Sequence, residues 1–82
     1  MISPEAIHYL GKFSGVMQAI ERGHKLTRRG WSDPGQYIQL QRPDENSVMS
    51  LPYIFIKTAQ GDFVPWVASQ TDLLADDWEV VE

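Results

Sequence analysis

The chain has no cysteine, which excludes a disulfide framework and any thiolate metal site. No apolar run approaches the ~20 residues that a membrane-spanning helix requires. The start, Met1 to Ala6, lacks the charged-then-apolar layout of a signal peptide, so no membrane partner and a cytoplasmic address are expected. Bases are scarce: seven Lys and Arg against eleven Asp and Glu leave a net charge of −4. This argues against a DNA or RNA binder, because polyanions are held through many cationic contacts to phosphate. The two histidines, His8 and His24, are sixteen positions apart with no acid at ligand spacing, so no metal site is expected. A phosphate-cradling glycine loop and a nucleophile elbow are both missing. Adjacent carboxylates at Asp76-Asp77 point apart on an extended segment, which reads as a solvated or capping role rather than acid-base chemistry. Catalytic residues and cofactors are not expected.

What is present is dense for its size. The 82 residues are 43% apolar with nine aromatics, enough for one packed domain but not for a large core. Such a domain is marginal alone and is readily stabilised by association with copies of itself. The stretch Val64 to Trp78 holds two of the three tryptophans and a Ser-x-x-Asp pair. Ser69 reads as an N-cap and Asp72 as its partner three residues on, in a capping box that starts a short helical turn.

In chain order, Ser3 to Lys12 suits a helical turn with Pro4 at its first position. Val16, Met17 and Ile20 recur at helical spacing between a Ser14 cap and Gly23, predicting a helix over Ser14–Arg22. Lys25 to Arg29 suits an edge strand that ends at Gly30-Trp31. Ser32 to Gly35 is a turn signal. Tyr37–Gln41 and Tyr53–Lys57 alternate as strands, Gln60-Gly61-Asp62 predicts a hairpin into Phe63–Trp66, and Pro65 confines that strand to an edge or an end. Trp78–Val81 closes the chain. The sum is α+β: one main N-terminal helix packed on a small, mainly antiparallel sheet of four or five strands, with a short helical turn near the C-terminus.

Charge is uneven along this frame. Arg22, Lys25, Arg28 and Arg29 fall within eight positions, whereas the chain from Asp62 onward has six acids and no base. A few local cations suffice for a small phosphorylated ligand. Trp31, Tyr37, Trp66 and Trp78 are rings able to stack on a purine. Arg28 or Lys57 can meet a phosphate, and Ser69, Gln70 and Asp72 offer hydroxyl, amide and carboxylate to ribose or base edges. The same rings also suit the core of so small a domain.

The segments Gly23 to Trp31 (G-H-K-L-T-R-R-G-W), Tyr37 to Leu40 (Y-I-Q-L), Pro52 to Trp66 (P-Y-I-F-I-K-T-A-Q-G-D-F-V-P-W) and Ser69 to Trp78 (S-Q-T-D-L-L-A-D-D-W) carry a resemblance. From Phe13 to Val81 the chain resembles the second type of phage Thoeris anti-defence proteins. The resemblance implies a homo-oligomer, a dimer or tetramer, with pockets between protomers. It implies capture, without cleavage, of a cyclic ADP-ribose-type signal (glycocyclic ADP-ribose) made by a bacterial TIR enzyme, in the cytoplasm of the infected host. Some relatives resemble sponges for cyclic oligonucleotides. The resemblance puts Arg28, Trp31, Ser69 and Asp72 in or beside the pocket, and the residue reading adds Tyr37, Trp66 and Gln70. The resemblance makes residues 1–12 an extension and 13–82 the ligand-binding domain. The loop from Asp44 to Ser50 is short, and Ser69 stands where some members have Asn. An enzyme acting on the same nucleotide would turn it over, and a protein-interaction module would ignore nucleotides.

Overall fold

The computed structural model describes residues 11–81; the helical turn expected ahead of them falls on residues that lie outside the described ones. The elements in order are α1 (Phe13–Glu21), β1 (Lys25–Arg28), β2 (Tyr37–Gln41), β3 (Tyr53–Lys57), β4 (Phe63–Pro65), α2 (Gln70–Leu74) and β5 (Trp78–Val81). The fold is α+β: α1 lies on one face of a five-stranded antiparallel sheet of order β4-β3-β2-β1-β5.

Local chemistry explains the ends of the elements. α1 starts one residue earlier than predicted. Lys12, extended, is its N-cap and makes no side-chain cap bond, so Ser14 lies inside the helix and does not cap it. Gly23 has φ +90° and ends the helix, its amide donating to the Ile20 carbonyl at 2.9 Å; a side chain there would be strained. The Thr58–Asp62 connection is closed at both ends, with the Thr58 amide donating to the Asp62 carbonyl at 2.8 Å and Gly61 at φ +91°. Pro65 ends β4 on the sheet edge, where its missing N–H costs no ladder bond.

β1 departs from expectation. It is not an edge strand but lies between β2 and β5, because Lys25–Arg28 pairs with Trp78–Val81 along its whole length. The pairing brings the basic exit of β1 beside the acidic end of the chain.

Strand alternation sorts the side chains. Leu26, Ile38 and Ile56 lie in register across the sheet on the α1 side, where Leu26, Ile38 and Trp78 form the core with Val16 and Ile20 of α1. Lys25, Thr27, Tyr37, Phe55 and Lys57 occupy the other face, which has no helix on it among the described residues. Burying five apolar side chains at roughly 1.5–3 kcal/mol each is a modest drive for a domain that must also order its backbone.

Candidate functional site

β1 runs out at Arg28, and the next three residues are held against the segment that precedes β5. The Arg29 amide donates to the Asp77 carbonyl at 3.2 Å, the Gly30 amide to Asp77 Oδ2 at 2.7 Å, and the Trp31 amide back to the Arg28 carbonyl at 3.1 Å. A Cβ on Gly30 would stand 2.8 Å from that carboxylate oxygen, so a larger residue there would have to push the Asp77 side chain aside.

Arg28 fills the space between two carboxylates. Its Nε donates to Asp77 Oδ1 at 2.8 Å and its Nη1 to Asp72 Oδ1 at 2.9 Å. The three side chains are 15%, 21% and 14% exposed for Arg28, Asp77 and Asp72. The hydrogen bond from Arg28 holds the Asp77 carboxyl below its ordinary range against partial burial, helped by the Gly30 amide. For Asp72, desolvation is the largest single influence and pushes upward. Hydrogen bonds from Arg28, from the Ser69 amide and hydroxyl, and from Trp31 together outweigh it, and the carboxyl ends below its ordinary range. The Asp77 hydrogen bond leads in raising the Arg28 guanidinium, with desolvation opposing.

The capping box at α2 is as predicted. Ser69 Oγ accepts from the Asp72 amide at 3.0 Å, and Asp72 Oδ2 accepts from the Ser69 amide at 3.3 Å. Asp72 does more than cap, since its Oδ1 also accepts from Trp31 Nε1 at 3.4 Å and its carbonyl from Trp78 Nε1 at 2.9 Å. The Trp31 ring stands edge-on to Trp78, with centroids 5.3 Å apart. Of the solvated or capping role expected for the two adjacent carboxylates, Asp76 is exposed, while Asp77 accepts from the Gly30 amide and, beyond that expectation, anchors the Arg28 turn. The one available signal was the charge imbalance, since an acidic tail and a basic turn complement each other.

On the sheet face away from α1, a groove of about 530 Å³ opens beside this clamp. Its floor is Lys25, Thr27, Tyr37, Lys57, Glu79 and Val81, and its rim is Arg29, Trp31 and the loop Asp33–Gln36. The volume is within the range of small-molecule sites. Of the residues singled out from the sequence, Arg28, Trp31, Tyr37 and Lys57 line it, and Asp72 stands behind Trp31. Trp66, Ser69 and Gln70 do not line it. Trp66 is half-buried on the α1 side, 6.0 Å from both Phe13 and Trp78; Ser69 and Gln70 are exposed at the start of α2. Lys25, Arg29 and Glu79 line the groove without having been singled out as contacts. The odd positions of β1 share a face with Tyr37 only once β1 is paired with β2.

Residues 11–81 match the family model of the Thoeris anti-defense 2-like domain. The chain belongs to that family. The Thoeris anti-defense 2 protein of Bacillus phage SP01 is 30% identical over 82 residues, covering 84% of this chain and 92% of the relative. Within the Thoeris anti-defense 2-like match fall the whole five-stranded sheet, the Arg28 clamp and the groove.

Proposed function

We propose that this chain works by sequestration, binding a cyclic ADP-ribose-type immune signal made by a bacterial TIR enzyme and holding it intact, so that the Thoeris effector stays off. The anti-defence role comes with the family; capture as its means is our reading. The observation that carries it is Trp31. The ring is half-buried at the rim of a groove of ligand size, its indole N–H is engaged by Asp72 and its edge is braced by Trp78. A platform fixed in this way loses little freedom when a purine stacks on it. Tyr37 supplies a second ring, and Arg29, Lys25 and Lys57 supply positive charge.

Capture without cleavage also suits the carboxylates beside the groove. Asp72 and Asp77 are held below their ordinary range by Arg28 and other donors, which makes them weak proton acceptors at neutral pH. Oligomerisation completes the reading. The groove is open to solvent, and Leu51, Phe63, Val67 and Leu74 are 72%, 63%, 87% and 81% exposed, so a second copy can cover apolar surface and close pockets between protomers. The host cytoplasm, where the signal is made, is the place of action.

The test is to incubate protein with the cyclic ADP-ribose-type signal, denature, and recover the small molecule. Unchanged ligand supports sequestration; a ring-opened product makes the protein a hydrolase. A thermal-shift panel that includes cyclic oligonucleotides distinguishes the other ligand class. Light scattering is expected to give a mass at least double 9.4 kDa, and a monomer at micromolar concentration contradicts the shared pocket.

A further inference from the structure

Two lysines converge on one tyrosine ring at the floor of the groove. Lys57 is directly opposite Tyr37 in the β2–β3 register, and the Leu26–Ile38 pairing sets Lys25 on the diagonal from it, within reach of a long side chain. The ammonium nitrogens stand 4.8 Å (Lys25) and 5.8 Å (Lys57) from the ring centre. Neither makes an ion pair among the described residues, where both salt bridges belong to Arg28. Glu79 and Asp33 line the same groove, yet neither reaches a lysine within salt-bridge distance. The face of the ring attracts each cation only weakly at an exposed site and does not neutralise it. The two like charges therefore repel one another across the ring.

We infer that Lys25 and Lys57, with Tyr37 between them, form an anion subsite that takes two adjacent phosphate groups, a diphosphate. The two ammoniums are no further apart than their two ring distances laid end to end, a span within reach of a diphosphate that accepts from one lysine at each end. Ammonium groups act as point charges with rotatable donors and need no fixed fork to hold such an anion. Arg28 does not compete for this role, because its Nε and Nη1 already serve Asp77 and Asp72. The assignment rests on the sequestration reading for the identity of the whole ligand. The anion subsite itself stands on the geometry of the three side chains.

The experiment titrates the whole protein with inorganic pyrophosphate at low ionic strength by calorimetry, together with Lys25→Gln, Lys57→Gln, Lys57→Arg and Lys12→Gln. Lys12 is exposed and outside this groove. Pyrophosphate is expected to bind the wild type more tightly than orthophosphate does and to raise its melting temperature. Each Gln variant in the groove should weaken binding at least tenfold, and Lys57→Arg and Lys12→Gln should keep it. Both groove Gln variants should melt no lower than wild type without ligand, since each removes a repulsion. No pyrophosphate binding to wild type, or an equal loss in Lys12→Gln, overturns the subsite. A cyclic ADP-ribose-type ligand held equally well by wild type and both groove Gln variants also overturns it while leaving sequestration standing. Pyrophosphate bound as expected with that ligand ignored keeps the subsite and removes the sequestration reading.

Discussion

Lys25 and Arg28 stand three residues apart on one strand, and the fold uses them in opposite ways. Arg28 follows Leu26 by two positions on β1, is 15% exposed and is held by two carboxylates from the C-terminal part of the chain. Lys25 points to the open face, over Tyr37, with no carboxylate on it among the described residues. Strand alternation alone separates them. A cation placed on the side where the acidic tail folds back becomes part of the scaffold; one placed on the other side keeps its charge for a partner. Basic residues close together in sequence therefore cannot be read as one patch until the strand has neighbours.

Removing Arg28 has the largest expected effect. Arg28→Ala leaves Asp72 and Asp77 partly buried and unpaired, and a loss of about 2–4 kcal/mol is expected in urea denaturation. That is a large share of the stability of a domain this size. Lys25→Ala, by contrast, should leave the unfolding free energy within about 0.5 kcal/mol of wild type.

Next in size are the carboxylates. Asp77→Asn keeps an acceptor for the Gly30 amide but loses the charge opposite Arg28, and about 1–2 kcal/mol is expected. Asp72→Asn should cost a similar amount and also loosen Trp31, lowering affinity for the cyclic ADP-ribose-type signal by at least about tenfold, since a bond to a charged group is worth roughly 1.5–3 kcal/mol. If Asp72→Asn destabilises the free protein but leaves affinity untouched, Asp72 only caps and braces.

The same pair gives a pH dependence with a definite sign. Both carboxyls are held below their ordinary range in the fold. Their contribution is complete above the unfolded-state value of about 4 and is lost as pH falls through the lower folded values. The melting temperature is expected to be level between about pH 5 and 7, to fall below about pH 4, and to fall less in Asp77→Asn. The smallest effects separate true caps from apparent ones: Ser69→Ala should cost about 1 kcal/mol, and Ser14→Ala, which removes no cap bond, within about 0.5 kcal/mol.

Much of the fold was legible because its signals are local. The helix period, Gly23, the Thr58–Asp62 turn, Pro65 and the Ser69–Asp72 box each act within a few residues. What was not legible depends on pairing across the chain. β1 reads as an edge strand because its partner β5 is some fifty residues away, and with that pairing unknown neither the partner of Asp77 nor the face of Lys25 follows. The candidate site divides in the same way. Arg28, Trp31 and Asp72 converge in the structure, and Tyr37 joins Trp31 at the groove. Trp66, chosen for its ring, belongs instead to the aromatic cluster with Phe13 and Trp78, where a packed domain of 82 residues has use for it.

Sequestration is tested most directly by what the protein carries away. Wild type and Trp31→Ala are mixed with lysate containing an active TIR cyclase, repurified and heated, and the released small molecules are weighed by mass spectrometry. Wild type is expected to release an intact cyclic ADP-ribose-type molecule in near-stoichiometric amount, and a folded Trp31→Ala almost none. Release of a linear product, of no nucleotide, or of equal amounts from both proteins would contradict it.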